Sequence, residues 1–180
     1  MNLTEKTVKE NEVYKGKLLH VFCDDIELPD GNPATREYIK HVGAVCVVPV
    51  TDDGKVVVEK QYRYPFRAVL TEIPAGKLDS KEEPHLDAAE RELREETGAK
   101  AEKLIYMGGF IPTCAYSDEV IHMYLATGIT FGERDLDEDE FLDVELMPLE
   151  DLVKDIMDGK IQDGKTQTAI LKAWMLINNK

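Results

Sequence analysis

The segment Gly76-Lys-Leu-Asp-Ser-Lys-Glu-Glu-Pro-His-Leu-Asp-Ala-Ala-Glu-Arg-Glu-Leu-Arg-Glu-Glu-Thr-Gly98 organises the chain around it. Pro84 is a favoured first-turn residue and Gly98 a favoured residue just past a helix end, so a helix is predicted from near 84 to 97. Residues three and four apart share a helix face. Glu92, Glu95 and Glu96 therefore share one face, and Leu86, Ala89 and Leu93 form a separate apolar stripe able to pack on a sheet. Like charges at i, i+4 cost about 0.2–0.5 kcal/mol, so this clustering is slightly unfavourable without a counter-ion. Hard carboxylate oxygens suit Mg²⁺ or Mn²⁺. Spacing alone favours the plainer reading, a solvated acidic helix in an acidic protein.

Upstream, residues 43–50 form a continuous apolar run that suits a strand buried on both faces. Asp52-Asp53-Gly54 turns into a second strand over 55–60. Residues 12–41 read as short strands and turns, with Pro29-Asp-Gly-Asn-Pro33 a strong turn. Residues 61–81 read as mostly loop because of Pro65, Pro74 and Gly76. Downstream, strands are predicted near 103–107, 119–126 and 141–147. Helices follow over 148–157 and 166–177, the last carrying Ala169, Ile170, Ala173, Trp174 and Ile177 on one stripe. Strands interleaved with helices imply an α/β sandwich around a mixed sheet. Residues 1–42 are expected to form a small N-terminal β module, and 43–180 the main domain.

The 76–99 segment resembles the Nudix box, G-x5-E-x7-R-E-U-x-E-E-x-G-U, where U is bulky and apolar. Residues 91–98 fit fully, and small Ala99 takes the last apolar place. One residue is inserted in the front half: counting from Gly76 selects Glu82 as the first box glutamate, and counting back from Arg91 selects Glu83. Register on the helix favours Glu83. The resemblance implies a Nudix-type α/β/α sandwich and a hydrolase dependent on two to three Mg²⁺ or Mn²⁺ ions. It implies that Glu92 and Glu96 bind metal directly, with Glu95 a further or water-mediated ligand and the Ala75 carbonyl often joining them. Arg91 is then expected to hold Glu83 and position the helix, with Gly76 and Gly98 structural. Arg94 is read as a surface residue.

Gln61-Tyr-Arg63 followed by Pro65, then Glu72-Ile-Pro-Ala-Gly76, is similar to the ADP-ribose pyrophosphatase branch of that family. By that match Arg63 contacts the diphosphate, its planar fork suiting phosphate oxygens. The plainer reading is a surface salt bridge. Glu72 lies near the metals or satisfies loop backbone. Arg36-Glu37-Tyr38 also resembles the branch, in which the N-terminal module helps form a homodimer and contacts adenine. Glu37 would accept from the adenine amino group and Tyr38 would stack, the alternative being an ordinary edge strand. Glu140, directly before Phe141, matches the branch's general base, and Glu138 is the second choice. The loop from Phe110 to Glu119 departs from the branch pattern: Cys114 and Ala115 stand where proline and glycine are usual, and Pro112 is shifted by two. That remodelling bears on which nucleotide is cut, not on the hydrolytic chemistry.

The rest of the composition sets outer bounds. The 180 residues suffice for one full domain and a small module. A net charge of −14 repels phosphate backbones, which argues against a nucleic acid polymer as partner and leaves a small, cation-shielded nucleotide. The sequence lacks an apolar run long enough to span a bilayer, and residues 1–17 lack a signal-peptide core, so no membrane partner and a cytoplasmic location are expected. Cys23, Cys46 and Cys114 are too far apart for a metal knuckle and odd in number for a disulfide framework. The reading is hydrolysis of a nucleoside diphosphate compound, with ADP-ribose giving AMP and ribose 5-phosphate. The alternatives are a Nudix pyrophosphatase for a GDP-sugar, dinucleotide polyphosphate or damaged nucleotide, or a non-catalytic ADP-ribose sensor.

Overall fold

The computed structural model describes residues 2–136 and 141–179. It divides into two compact units, Met1–Val42 with Thr113–Glu119, and Gly43–Pro112 with Val120–Lys180. The first is an antiparallel sheet of β1 (Lys6–Lys9), β2 (Glu12–Lys15), β3 (His20–Glu27) and β4 (Pro33–Lys40). β3 pairs with β4 along one edge and with β1 and β2 in succession along the other. The segment 113–119 joins this unit by backbone: Ile39 N–H donates to Tyr116 O at 2.9 Å, and His41 N–H donates to the Asp118 carboxylate at 2.6 Å. The loop that departs from the branch pattern is therefore built largely onto the end of β4.

The second unit is a layered α/β structure. Its elements are β5 (Ala44–Pro49), β6 (Lys55–Arg63), β7 (Ala68–Glu72), β8 (Ala75–Lys77), α1 (His85–Thr97), β9 (Ala99–Phe110), β10 (Ile121–Phe131), β11 (Leu142–Pro148), α2 (Leu149–Met157) and α3 (Gly164–Asn178). One sheet runs β8-β5-β10-β9 and is mixed: β10 is parallel to β5, and the other pairs are antiparallel. The second, β11-β6-β7, is antiparallel.

Every residue of β5 is buried, because the strand is covered on both faces. Val45 and Val47 point to a core shared with Ala89 and Leu93 of α1, while Cys46 and Val48 point to one shared with α2, α3, Val56 and Val58. Each fully buried valine contributes about 1.5–3 kcal/mol of transfer free energy. The apolar run of 43–50 and the stripe Ala169, Ile170, Ala173 take the core positions their patterns predict, with Trp174 and Ile177 packed at the margin.

Three expectations need correction. Residues 61–81 are not mostly loop: β6 continues to Arg63, and β7 and β8 follow after the turn around Pro65, with Ile73-Pro74 between them. The β-branched Val69 and Thr71, paired against β6, outweigh the nearby prolines. The strands at 103–107 and 119–126 extend to 99–110 and 121–131, where β9 and β10 pair over almost their whole length. Leu86 is 42% exposed and is not part of the packed stripe. The buried face of α1 is instead Ala88, Glu92 and Glu96 beside Ala89, Leu93 and Thr97. The acidic residues thus face inward.

Gly98 ends α1 in the left-handed region, φ 69°, with its N–H donating to Arg94 O at 2.8 Å. A side chain there would be strained in φ, and its Cβ would meet Gly132 O at 2.5 Å. Gly98→Ala is expected to destabilise the fold by about 1–3 kcal/mol, seen as a lower urea midpoint at unchanged slope. An unchanged midpoint would show that the cap can relax.

Candidate functional site

The turn between β8 and α1 and the inner face of α1 place the box residues together. Glu92 and Glu96, one helical turn apart, are 9% and 3% exposed. Two features accommodate them. Gly76 lies so close to Glu92 that a Cβ at that position would fall inside its carboxyl group. The Ala75 N–H donates to Glu96 Oε2 at 2.9 Å. The contact seen for Ala75 is thus through its amide.

Arg91 is the hub on the solvent side. Its Nη1 donates to Glu92 Oε1 at 2.7 Å and to Glu95 Oε2 at 3.3 Å, and its Nη2 to Lys77 O at 3.2 Å and Glu83 Oε1 at 3.3 Å. Glu83 also accepts from the Asp79 N–H at 2.6 Å, so the insertion is absorbed in the turn and Glu83, not Glu82, meets the arginine. Burial works against the Arg91 charge, but Glu92, Glu83 and Asp79 outweigh it and hold the guanidinium protonated more firmly than usual. Glu95 is also held by Arg94, at 2.8 Å.

The donor set fits a hard divalent cation. Two buried carboxylates share one stripe, a glycine keeps the space beside them clear, and the cation facing Glu92 and Glu95 is an arginine. Among the described residues no three His, Cys, Asp or Glu side chains converge on one point as they stand.

A second cluster, of two cations and two carboxylates, lies on β6, β7 and the start of α3. Arg63 donates through Nε and Nη2 to the two oxygens of Glu72 at 2.6 and 2.7 Å. Lys165 donates to Glu72 as well, and to Asp163 at 3.1 Å. Glu72 is 2% exposed. It satisfies side-chain cations, where the sequence offered metals or loop backbone. Burial pushes the Glu72 carboxyl up, yet hydrogen bonds and charge from Arg63 and Lys165 outweigh this and hold it below the ordinary range. Asp163 caps α3 by accepting from the Thr166 N–H at 2.9 Å. Sequence reasoning missed Lys165: the apolar stripe marked a helix from 166, and nothing in the local pattern revealed an ion pair at its start.

Glu37 and Tyr38 sit on β4 in the N-terminal unit. Glu37 is exposed; the Tyr38 hydroxyl donates to Asp24 at 2.9 Å, and its ring stacks on Phe22 at 5.5 Å. Glu138 and Glu140 lie outside the described residues. Burial pushes the Cys46 thiol up to about 12, so it is an inert core residue; Cys114 is exposed. No helix among the described residues is long and apolar enough to cross a membrane.

Since the folded Glu72 titrates below its ordinary value of 4.5, its ionised form stabilises the fold fully above that pH, and this is lost as pH falls through the lower folded value. The urea-midpoint gap between wild type and Glu72→Gln should be wide at pH 7 and narrow below pH 4.5. A gap that grows on acidification would contradict the pairing.

Comparison with known proteins agrees with this arrangement. Residues 40–167 match the NUDIX domain, and residues 5–39 match the nucleoside diphosphate sugar hydrolase N-terminal domain. The chain is 43% identical to the ADP-ribose pyrophosphatase of Bacillus subtilis, over 94% of this chain and 92% of that one. It is 39% identical to the methanol dehydrogenase activator of Bacillus methanolicus, over 92% and 90%. A crystal structure described as an ADP compounds hydrolase superimposes with a TM-score of 0.84 at 21% identity, covering 97% of this chain and 96% of that one, which speaks for the fold. With the box intact on α1, its carboxylates buried and its arginine engaged, the chain belongs to the Nudix family.

Proposed function

We propose that this protein hydrolyses the diphosphate bond of ADP-ribose to AMP and ribose 5-phosphate. The observation that carries the chemistry is the buried pair Glu92 and Glu96 beside side-chain-free Gly76, with Arg63 and Glu72 on the strands leading into the same turn and Lys165 joining them from α3. The choice of ADP-ribose rests on similarity to the Bacillus subtilis pyrophosphatase over nearly the full length of both chains.

Glu92, Glu96 and the Ala75 carbonyl would hold the metal, with Glu95 as a further ligand, and the proposed ions are two to three Mg²⁺ or Mn²⁺. When bound, such ions supply charge neutralisation and Lewis acidity at the diphosphate. The protein's own part is positioning and proton transfer. Arg91 holds Glu83, Glu92 and Glu95 in one arrangement, which fixes the turn against the helix. Arg63 offers the guanidinium that meets negative charge developing on phosphate oxygens. Glu140, directly before Phe141, takes the proton of the attacking water, with Glu138 as second choice. Water attack at one phosphorus then releases the other phosphate with its sugar. Glu37 and Tyr38 are assigned to adenine, and residues 1–42 to a homodimer interface of a cytoplasmic enzyme.

Assay of a nucleotide panel with Mg²⁺ and with Mn²⁺, products identified, tests the reading. ADP-ribose should give AMP and ribose 5-phosphate at the highest kcat/KM, ahead of a GDP-sugar, a dinucleotide polyphosphate and an oxidised nucleotide. Glu96→Gln should lower turnover at least ~10²-fold, the equivalent of several kcal/mol of lost ligation. A correctly folded Glu96→Gln protein with near-normal turnover would remove Glu96 from the ligand set.

A further inference from the structure

Lys165 bears a charge where charge is costly. Its side chain is 11% exposed, and the Glu72 side chain it meets is 2% exposed. Taking such groups out of water costs several kcal/mol per ion, and a methionine of similar volume would avoid that cost. The lysine nevertheless stays charged: burial alone would favour neutral amine, but Asp163 and Glu72 outweigh it and raise its pKa.

The charge count indicates what the lysine does. Arg63 and Lys165 are positive, Glu72 and Asp163 negative, so the four sum to zero. With a neutral residue at 165 the sum is −1, and Glu96 is close enough to act on Arg63 electrostatically. A site that must admit a diphosphate would then present net negative charge around its own arginine. The contacts are mechanical as well. Lys165 holds Glu72 and the next residue, Thr166, accepts from the Ile73 N–H at 3.1 Å, so consecutive residues of α3 clamp consecutive residues of the strand end. Ala75 and Gly76 follow at once, in contact with Glu96 and Glu92.

We propose that Lys165 is a positioning residue for the diphosphate. It secures Glu72 so that Arg63 keeps its orientation, and it cancels the negative charge that Glu72 and Asp163 would otherwise place beside the incoming phosphates. This rests on the reading that Arg63 faces the diphosphate.

The test is binding of inorganic pyrophosphate with Mg²⁺ by calorimetry, alongside kcat and KM on ADP-ribose. Lys165→Met should weaken pyrophosphate binding at least ~10-fold and lower kcat/KM as much, mainly through KM, as expected for one lost charge-assisted contact. Lys165→Arg should recover most of that loss. Arg63→Met with Lys165→Met should lose less than the product of the two single losses, because part of the lysine's effect acts through the arginine and only the charge it cancels acts on the phosphates directly. Asp163→Asn, which keeps a good helix cap and removes one negative charge, should tighten pyrophosphate binding about 2- to 5-fold and stands as a test of opposite sign should Lys165→Met fail to fold. A folded Lys165→Met protein that binds pyrophosphate like wild type, losses that multiply in the double variant, or Asp163→Asn binding no tighter than wild type would each overturn the proposal. Wild type inert toward ADP-ribose yet obeying these binding differences would overturn the substrate reading and leave the role of Lys165 standing.

Discussion

Two carboxylates face inward on a helix that must also pack, and the second unit is arranged around that constraint. Ala88, Glu92 and Glu96 form one inward stripe of α1 and Ala89, Leu93 and Thr97 the next. Alanine or leucine at 92 and 96 would suit the helix and the core better, since buried anions must be compensated. The surroundings meet the demand in three ways: a glycine at 76 that leaves room, a backbone amide at 75 that donates, and a guanidinium at 91 that shares its charge. Remove the acidic requirement and none of these features has a reason to occur together.

Arg91 also makes the turn and the helix one body. It reaches the carbonyl of Lys77, the carboxylate of Glu83 and two carboxylates on its own helix. A lysine has a single ammonium centre and could not span these partners, whereas the planar fork presents donors in several directions from a fixed frame. The one-residue insertion between Gly76 and Glu83 is tolerated for the same reason. Residues 77–83 can bulge so long as Glu83 returns to the guanidinium, which it does while also accepting from Asp79 N–H.

Legibility in the sequence followed physical range. The core strand at 43–50 and the α3 stripe were readable because period and composition alone fix which faces are buried. The box helix was readable because its residue types recur at helical spacing, and its family resemblance carried the metal and hydrolase expectations. Local rules misled at 61–81, where prolines suggested loop but pairing with β6 decided for strand, and at Leu86, whose spacing fits the buried stripe but which lies exposed in the first turn of α1. Lys165 was illegible for a stronger reason. Its partner Glu72 lies 93 residues earlier, and a lysine in the first turn of a helix reads as a surface residue until the fold brings β7 to it.

That long-range contact bears on how the site keeps its shape. The box carboxylates are carried by α1 and Arg63 with its paired charges by β6, β7 and α3, and the link between them is the short run from Glu72 to Gly76. This run is not a free loop. Ile73 is 1% exposed, its N–H is bound by Thr166, and Pro74 accepts from the Val47 N–H at 2.9 Å while its ring restricts its own backbone. Segments with buried side chains and internal hydrogen bonds open only at a free-energy cost approaching that of unfolding the core around them. The spacing between arginine and carboxylates is therefore set by the central strand β5 and by α3, both packed into the apolar core. A site that sets an arginine near carboxylates would tend to collapse onto itself if that link were pliant. Anchoring it in the core is what keeps Arg63 within electrostatic reach of Glu96.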